Sequence, residues 1–189
     1  MTKKEIIFKL SEMHYKLLSK NDFSKLLGIN LIKTFYSILL EEKYGKVLYE
    51  TNHRGDVISI CCCFYRYKDF KKKYMRATIV KIFYKIITFK VSIKRILIEL
   101  FSKLPNEIID NENFALGFIG FTKDYGIRGP LSLAKNYSKA LKYLINHDCN
   151  YVWGSTLTEN IGANQFLSRN NFKIIKENLN GKNYYLLKL

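Results

Sequence analysis

The order of apolar segments in the second half of the chain most constrains its fold. Apolar runs with strand character alternate there with segments whose apolar residues recur at the helical period. The predicted strands cover residues 113–122, 150–158, 172–177 and 183–189, and the predicted helices cover 131–147 and 160–171. Asn180 and Gly181 join the last two strands in a strong hairpin signal. This order is typical of an α/β (α+β) domain with a mixed central sheet flanked by helices.

The first half of the chain predicts the remaining elements of this domain. They are an opening strand over 5–10, a helix over 23–40 and a β-hairpin of strands 46–51 and 57–67. Asn21 or Asp22 is expected to cap the helix. The second hairpin strand is apolar on both faces, so we expect it inside the sheet. Together these elements predict one domain over residues 1–189, with a sheet of about six or seven strands.

An extra helical insertion is predicted over about 68–104. Apolar residues make one helical stripe at 79, 82, 83, 86 and 87, but a continued helix would place Lys90 in that stripe. We therefore expect two amphipathic helices with a break near 88–92. Lysine or arginine interrupts the segment every few residues, which excludes a membrane span of about 20 apolar residues. Two interpretations follow: a helical hairpin that covers the sheet, or a basic surface that rests weakly on an anionic membrane.

The formal net charge of +16 would suit a nucleic-acid ligand. The charge is uneven, because residues 68–103 hold eleven Lys or Arg and two acids, a net of +9, which leaves +7 for the rest. Lysine outnumbers arginine 26 to 6, and the chain has no arginine-rich helix, zinc finger or RNA-binding sheet motif. Nucleic-acid binding is therefore not the favoured function.

The four cysteines predict neither a metal site nor a disulfide framework. Cys61, Cys62 and Cys63 are adjacent, Cys149 stands alone, and no Cys or His pair has metal-ligand spacing. They suit small core fillers in a reducing compartment. The N-terminal letters MTKKEIIFKL contain no apolar signal region, so we expect a cytoplasmic location.

Three stretches, in the expected order along nearly the whole chain, resemble one family. ALGFIGFTKDYGIRG (115–129) looks like its fourth strand and pyrophosphate loop. NIGANQFLSRNNF (160–172) resembles its pattern N-x-x-A-x-x-F-Y-x-x-x-G-F. The stretch 23–64 resembles the start of a subset with a helical insertion before the fourth strand. The family is the GNAT superfamily of acyl-CoA N-acyltransferases.

The resemblance implies a site for acetyl-CoA. The pyrophosphate of coenzyme A is bound by backbone N–H groups at a helix N-terminus. The loop expected to supply them contains Gly126, Arg128, Gly129 and Leu131. Two letters depart from the family's loop, because Leu131 stands where it has a glycine and Gly126 where it has a basic residue.

The resemblance also implies where the pantetheine arm lies. In GNAT proteins the fourth and fifth strands splay apart, and backbone groups of the fourth strand pair with the arm. The residues expected to supply these groups here are Phe118, Ile119, Gly120 and Phe121. Asn160 ends the fifth strand, three residues before the motif residue Ala163. Asn160 is expected both to hold the arm and to cap the next helix.

The implied reaction transfers an acetyl or longer acyl group to a primary amine. The amine must lose a proton before or during attack on the thioester. His14 is the first candidate base and Glu112 the second, ahead of His53 and Asp110. We expect His14 to precede the first helix, on the acceptor side.

The proton donor of many GNAT enzymes is missing from the sequence. Leu167 stands where the family places a tyrosine that protonates the leaving thiolate. Tyr125, Tyr137, Tyr151 or water would have to replace it. The family glycine before Phe172 is Asn171, which tolerates a left-handed helix end.

The acceptor and the class of protein stay open. By resemblance, the expected small-molecule acceptor is an amino sugar, free or linked to a nucleotide, whose anionic charge would suit the basic chain. Leu167 and the altered loop leave a non-catalytic GNAT-like binding or regulatory module as one alternative. The basic 68–103 helices leave a peripheral protein at the inner face of the membrane as another. No metal is implied, and no oligomeric state is predicted.

Overall fold

A mixed sheet of six strands forms the centre of the fold. The computed structural model describes residues 1–18, 22–88, 104–109 and 111–189, and the strand order is β1-β2-β3-β4-β6-β5. The strands are β1 Gly45–Thr51, β2 Val57–Phe64, β3 Ala115–Phe121, β4 Tyr151–Leu157, β5 Lys173–Leu179 and β6 Lys182–Lys188. The β3–β4 pair is parallel, and the other neighbours are antiparallel. The predicted fold class and both predicted hairpins are thus confirmed.

Helices cover both faces of the sheet. They are α1 Lys3–Leu17, α2 Phe23–Leu27, α3 Ile29–Leu39, α4 Tyr67–Ile87, α5 Asn106–Ile109, α6 Arg128–Ile145 and α7 Ile161–Arg169. Helices α1, α3 and α4 enclose one apolar core against the sheet, and α6 and α7 enclose a second. Strand β2 is buried throughout and contributes Cys62 to the first core and Cys61 and Cys63 to the second. It is the interior strand that the sequence predicts, and its cysteines are free thiols.

The predicted opening strand over 5–10 is wrong, because this segment belongs to α1. Thr2 and Glu5 form a capping box, in which Thr2 Oγ1 accepts from the Glu5 N–H at 3.3 Å and Glu5 Oε2 from the Thr2 N–H at 2.7 Å. Leu10, Met13 and His14 then lie buried at helical spacing. So short a window cannot distinguish strand alternation from one face of a helix.

The predicted helix over 23–40 is divided at Gly28. Gly28 has a φ of 92°, a conformation that glycine adopts without strain and that ends α2. Asp22 caps α2 by accepting from the Ser24 N–H at 2.8 Å, which confirms one of the two predicted caps.

Helix α4 occupies the first part of the predicted insertion. It begins at Tyr67, earlier than expected, while β2 ends at Phe64, three residues before the predicted end of the strand 57–67. The predicted stripe does not face the core as a whole, since Ile82 is buried whereas Phe83 and Ile87 are exposed. The second predicted helix lies outside the described residues. Among the described helices, none has the length and apolar character that a membrane crossing requires.

A chain of hydrogen bonds attaches the first turns of α6 to the sheet. Asn136 Nδ2 donates to Ser59 Oγ at 2.9 Å, the Ser59 and Ser132 hydroxyls are bonded to each other, and Ser132 Oγ donates to Glu50 Oε2 at 2.8 Å. Ser59, Ser132 and Asn136 are buried. Paired polar groups inside a core specify one arrangement of the elements that carry them. The network therefore sets the position of the N-terminus of α6.

Candidate active site

Strands β3 and β4 separate from each other along most of their length. Over both strands, which the structure describes in full, the ladder contains one pair, Ala115 with Trp153. Beside this pair, the backbone N–H of Trp153 donates to the Phe114 carbonyl at 3.0 Å. Beyond it the strands diverge and leave a V-shaped gap in the middle of the sheet. This is the separation expected between the fourth and fifth strands of a GNAT protein.

A bulge in β3 aims backbone groups into the gap. Partners along β2 change from Cys61–Ile119 to Cys63–Leu116, so β3 holds one extra residue there. On the far side of the bulge, the Thr122 N–H donates to the Ile58 carbonyl at 3.0 Å. Because hydrogen-bonding direction alternates along a strand, Ile119 and Phe121 direct their N–H and C=O groups away from β2, toward the gap. The sequence predicts that residues 118–121 supply these backbone groups. The bulge decides which of the four residues direct their N–H and C=O groups toward the gap.

A cavity of about 600 Å³ passes through the gap from one face of the sheet to the other. Its walls on the first face come from α1, α3 and α4 and include His14, Phe35 and Phe70. On the second face they include Phe166 and Leu167 of α7. The gap itself is lined by Leu116 to Phe121, by Trp153 to Leu157, and by Asn160 and Ala163. The cavity therefore has two chambers that meet between β3 and β4.

The chain that leaves β3 turns directly into the N-terminus of α6. A 3-10 turn over Lys123–Tyr125 leads to Gly126, whose φ of 52° and ψ of −131° suit glycine. Among the hydrogen bonds of the described chain, none begins at the N–H of Ile127 or Arg128. These donors, the helix dipole and the exposed Arg128 side chain suit an anion. Leu131 is exposed beside them, outside the cavity lining.

Gly129 permits close packing of α6 on the end of β3. A Cβ at this position would lie 2.7 Å from Phe121 Cδ2 and 2.8 Å from the Thr122 carbonyl oxygen. One of these neighbours is backbone, which cannot rotate away. The glycine is thus required by the contact that places the turn at the mouth of the gap.

Asn160 lies in the cavity lining at the start of α7. Its Oδ1 accepts from the Ala163 N–H at 3.1 Å, which is the predicted N-cap. The amide nitrogen Nδ2 of the same side chain is a hydrogen-bond donor. The position is compatible with both predicted roles of Asn160, as cap and as anchor.

Asn164 organises the loop that carries Asn160, and sequence reasoning missed it. Its Nδ2 donates to the carbonyls of Leu157 at 3.1 Å and Asn160 at 2.8 Å. Its Oδ1 accepts from Asn183 Nδ2 at 3.0 Å and from the Tyr185 hydroxyl at 2.6 Å. The amide joins the end of β4, the start of α7 and strand β6. An asparagine four residues after an N-cap was the available sequence signal, but it does not reveal partners on β6.

His14 is a buried, neutral side chain of the first chamber. It lies inside α1, which corrects its expected place before the first helix. Its Nδ1 is 3.0 Å from the Tyr36 hydroxyl, and its ring stacks on Phe118 with centroids 3.6 Å apart. Burial lowers the pKa of His14 to about 3. The imidazole therefore acts as a neutral hydrogen-bonding group at neutral pH and is a weak base.

Glu112 and Tyr125 are not brought into the cavity. The Glu112 carboxylate pairs with Lys68 next to the closed end of the gap. The Tyr125 hydroxyl accepts from Asn52 Nδ2 at 2.8 Å and so ties its turn to the β1–β2 loop. Neither side chain lines the cavity, because long-range partners hold both elsewhere.

The remaining chemical candidates are also separated from the cavity. His53 is exposed in the β1–β2 turn, and Asp110 lies outside the described residues. Tyr137 and Tyr151 do not belong to the cavity lining. Leu167 does belong to it and is buried, so the position of the family's tyrosine is apolar here.

The buried imidazole predicts a pH-dependent stability. Between about pH 3 and 6.5 the unfolded chain binds a proton at His14 that the folded chain does not. The stabilisation is full above the unfolded pKa and is lost as the pH falls toward the folded pKa. From about pH 8 to about pH 5, the free energy of unfolding should fall about 2 kcal/mol more in the native chain than in His14→Leu.

Urea denaturation of both proteins at each pH measures this difference. His53 and His147 are present in both chains and cancel in the comparison. Equal losses in the two proteins would show that His14 titrates normally in the folded chain.

Comparisons with known proteins identify the fold. Neither protein-family profiles nor curated proteins give a match. A GNAT-family acetyltransferase from Listeria monocytogenes is 15% identical with a TM-score of 0.57, covering 98% of this chain and 89% of that one. One from Staphylococcus aureus is 14% identical with a TM-score of 0.53, covering 99% and 90%.

A third similar structure is a condensation domain. The C-terminal condensation domain of Ebony, in complex with beta-alanyl-dopamine, is 11% identical with a TM-score of 0.51, covering 99% of this chain and 94% of that one. Identities this low establish the architecture and leave the substrate to the site itself. With its splayed central strands and helices on both faces, this chain has the fold of the GNAT acetyltransferases.

Proposed function

We propose that this protein is an acyl-CoA-dependent N-acyltransferase that moves an acyl group, such as acetyl, to a primary amine. The observation that carries the proposal is the through-sheet cavity, whose lining includes Phe121 and Lys123 just before the N-terminus of α6. The GNAT fold of the neighbours supports acyl transfer in general. The identity of the acyl donor and of the acceptor belongs to the proposal.

The residues present fit coenzyme A. The gap-facing backbone of Ile119 and Phe121 offers N–H and C=O groups that an extended pantetheine arm could pair with, as an added strand does. The N–H groups of Ile127 and Arg128 would hold the pyrophosphate. Asn160 Nδ2 would donate to the arm from the opposite side of the gap. Leu131, which stands where the family has a glycine, has no hydrogen-bond donor in its side chain. The side chain is exposed and leaves the turn accessible.

A bound thioester would supply an acyl carbonyl carbon for attack by the amine nitrogen, so that the C–N bond would form and the C–S bond would break as sulfur leaves with the electron pair. Sulfur then receives the equivalent of the proton that the amine loses, so the products are an amide and a thiol. With its lowered pKa, neutral His14 would orient the amine by a hydrogen bond and would take up little of the proton. Leu167 donates no proton, so water is the proposed proton carrier.

The finer predictions from the sequence remain proposals. An amino sugar, free or nucleotide-linked, is the acceptor suggested by the resemblance, and a nucleotide-linked one would suit the basic chain. The aromatic lining of the first chamber instead favours an aromatic amine. A cytoplasmic location, with weak association of the 68–103 region with anionic lipid, is likewise proposed. A non-catalytic binding module is the second candidate, and the apolar wall at Leu167 favours it.

Thiol release separates the two candidates. Coenzyme A should raise the thermal midpoint of the protein, and acetyl-CoA should release thiol in the presence of a suitable amine from a broad panel. Stabilisation by coenzyme A without thiol release from any amine would favour the binding module. Absence of both effects would exclude the proposed cofactor site.

Asn160 offers a variant pair that separates capping from binding. Asn160→Ser keeps a capping oxygen but loses the amide donor, so coenzyme A affinity should fall about tenfold while stability stays within about 0.5 kcal/mol. Asn160→Ala should in addition lose about 1 kcal/mol of stability. Isothermal titration and urea denaturation measure the two quantities. Native affinity in Asn160→Ser would show that the amide group holds nothing.

A further inference from the structure

We propose that the acceptor of this site carries its primary amine on a flat aromatic body, as a phenylalkylamine does, and not on a polyhydroxylated sugar. The inference rests on the proposed acyl transfer and names its acceptor class. It follows from the composition of the chamber formed by α1, α3 and α4, which lies opposite the α6 and α7 face.

Aromatic rings form the wall of this chamber. Phe118 stacks on His14 with centroids 3.6 Å apart. Phe35 meets His14, Phe70 and Tyr74 edge to face, with centroids 6.0, 5.1 and 6.1 Å apart. Phe70 and Tyr74 lie parallel at 6.0 Å. All five line the cavity, so one continuous ring surface faces its interior.

These rings keep surface available to a ligand. Phe35, Tyr74 and Phe118 are only partly buried, whereas Phe70 behind them is buried. A ligand ring entering the chamber could complete further edge-to-face or offset contacts, each of which adds to simple area burial. An aliphatic or polar ligand would fill the space without the additional binding free energy of ring–ring contacts.

The helices on this face contribute few polar groups to the lining, and strands β4 and β6 add Ser155, Thr156 and Lys182 to the cavity. Among the described residues that line this chamber, the polar or charged side chains from α1, α2 and α4 are His14, Asp22, Ser24, Lys71 and the phenolic ends of Tyr67 and Tyr74. The Asp22 carboxylate already caps α2, and the Tyr74 hydroxyl donates to the Leu31 carbonyl at 3.3 Å. A sugar would bury several hydroxyls against rings, and each polar group left unpaired weakens binding. A ligand with a single amine needs only one hydrogen-bond partner for that group.

His14 supplies that partner at the correct end of the chamber. Its ring lies against Phe118, one residue before the gap-facing backbone of Ile119. A ligand with its ring among Phe35, Tyr74 and Phe118 would have its amine near His14 and the gap. The chamber would therefore hold the aromatic ring of the ligand away from the gap and its amine close to the gap, where the thioester would lie.

Fluorescence of the single tryptophan can report binding of a ligand in the cavity, whether or not a reaction occurs. Trp153 lines the cavity at the joined end of β3 and β4, with the Tyr67 ring edge-on at 5.2 Å. Its fluorescence, excited at a wavelength that phenethylamine does not absorb, should change on titration with phenethylamine, with and without coenzyme A. We expect at least tenfold tighter binding of phenethylamine than of glucosamine. The same ratio is expected in kcat/KM for thiol release from acetyl-CoA.

A matched pair of variants tests the ring wall. Phe35→Leu keeps an apolar side chain but removes the ring, so the Kd and KM for phenethylamine should rise about tenfold, equivalent to about 1.4 kcal/mol, with coenzyme A affinity unchanged. Tyr84 is an exposed aromatic residue of α4 outside the cavity lining. Tyr84→Leu should leave all three constants unchanged.

The outcomes distinguish this inference from the proposed function. Turnover of glucosamine without binding of phenethylamine overturns the aromatic acceptor and keeps the acyltransferase. Binding of phenethylamine without thiol release from any amine keeps the aromatic ligand and overturns the acyltransferase. Failure of phenethylamine to bind in either condition, or a native KM in Phe35→Leu, overturns the inference.

Discussion

Gly129→Val is expected to lower the free energy of unfolding by about 3 kcal/mol and to weaken coenzyme A binding at least tenfold. The new Cβ would lie within 2.8 Å of the Phe121 ring and the Thr122 carbonyl oxygen, so α6 must shift away from the end of β3. That shift displaces the N–H groups of Ile127 and Arg128. Urea denaturation and titration with coenzyme A measure the two losses.

Ala134→Val is the control for this substitution. Ala134 lies further along α6 on its exposed side, where the two methyl groups that valine adds to the alanine Cβ meet solvent. It should cost only about 0.5 kcal/mol, the helix propensity difference, and leave coenzyme A binding unchanged. If Gly129→Val behaves like this control, α6 does not pack on β3 as described.

Asn164→Leu should cost about 2 kcal/mol and loosen the loop that carries Asn160. The substitution leaves the Tyr185 hydroxyl without its acceptor and Asn183 Nδ2 without its partner. It also removes the side-chain hydrogen bonds to the Leu157 and Asn160 carbonyls, each of which keeps a backbone N–H donor. A buried hydroxyl left unpaired costs about 1–3 kcal/mol, offset in part by the apolar side chain. Denaturation gives the stability, and coenzyme A affinity should fall with it.

Gln165→Leu makes the same kind of change at the neighbouring exposed position of α7. It should alter stability by no more than about 0.5 kcal/mol. A stability of Asn164→Leu equal to that of Gln165→Leu would show that the amide joins nothing, and Asn160 would then need another support.

The sequence predicts those parts of the site that depend on neighbours along the chain. Asn160 is read as an N-cap, and its oxygen accepts from Ala163 three residues later. Asn171 is read as a left-handed helix end and has a φ of 64°. Asn180 and Gly181 are read as a hairpin turn, and both have positive φ. These features are determined by a few consecutive residues, so their letters suffice.

The same reasoning failed where a segment's partners are distant. Residues 5–10 alternate like a strand, yet packing of Leu10 and Met13 against the sheet makes them part of a helix. Glu112 and Tyr125 have suitable chemistry, but Lys68 and Asn52 hold them away from the cavity. Such partners have no fixed spacing in the sequence, so composition and periodicity do not reveal them.

By itself, the sequence determined the order of the main strands and helices from residue 113 onward, the sheet class and the caps, because backbone propensities and turn chemistry act locally. The tertiary structure alone decided that β3 carries a bulge, that Asn164 joins three elements, and that His14 meets Tyr36 and Phe118. Each of these depends on register and burial between segments far apart in the chain. A one-residue change of register exchanges the two faces of a strand, and burial decides the charge of an imidazole.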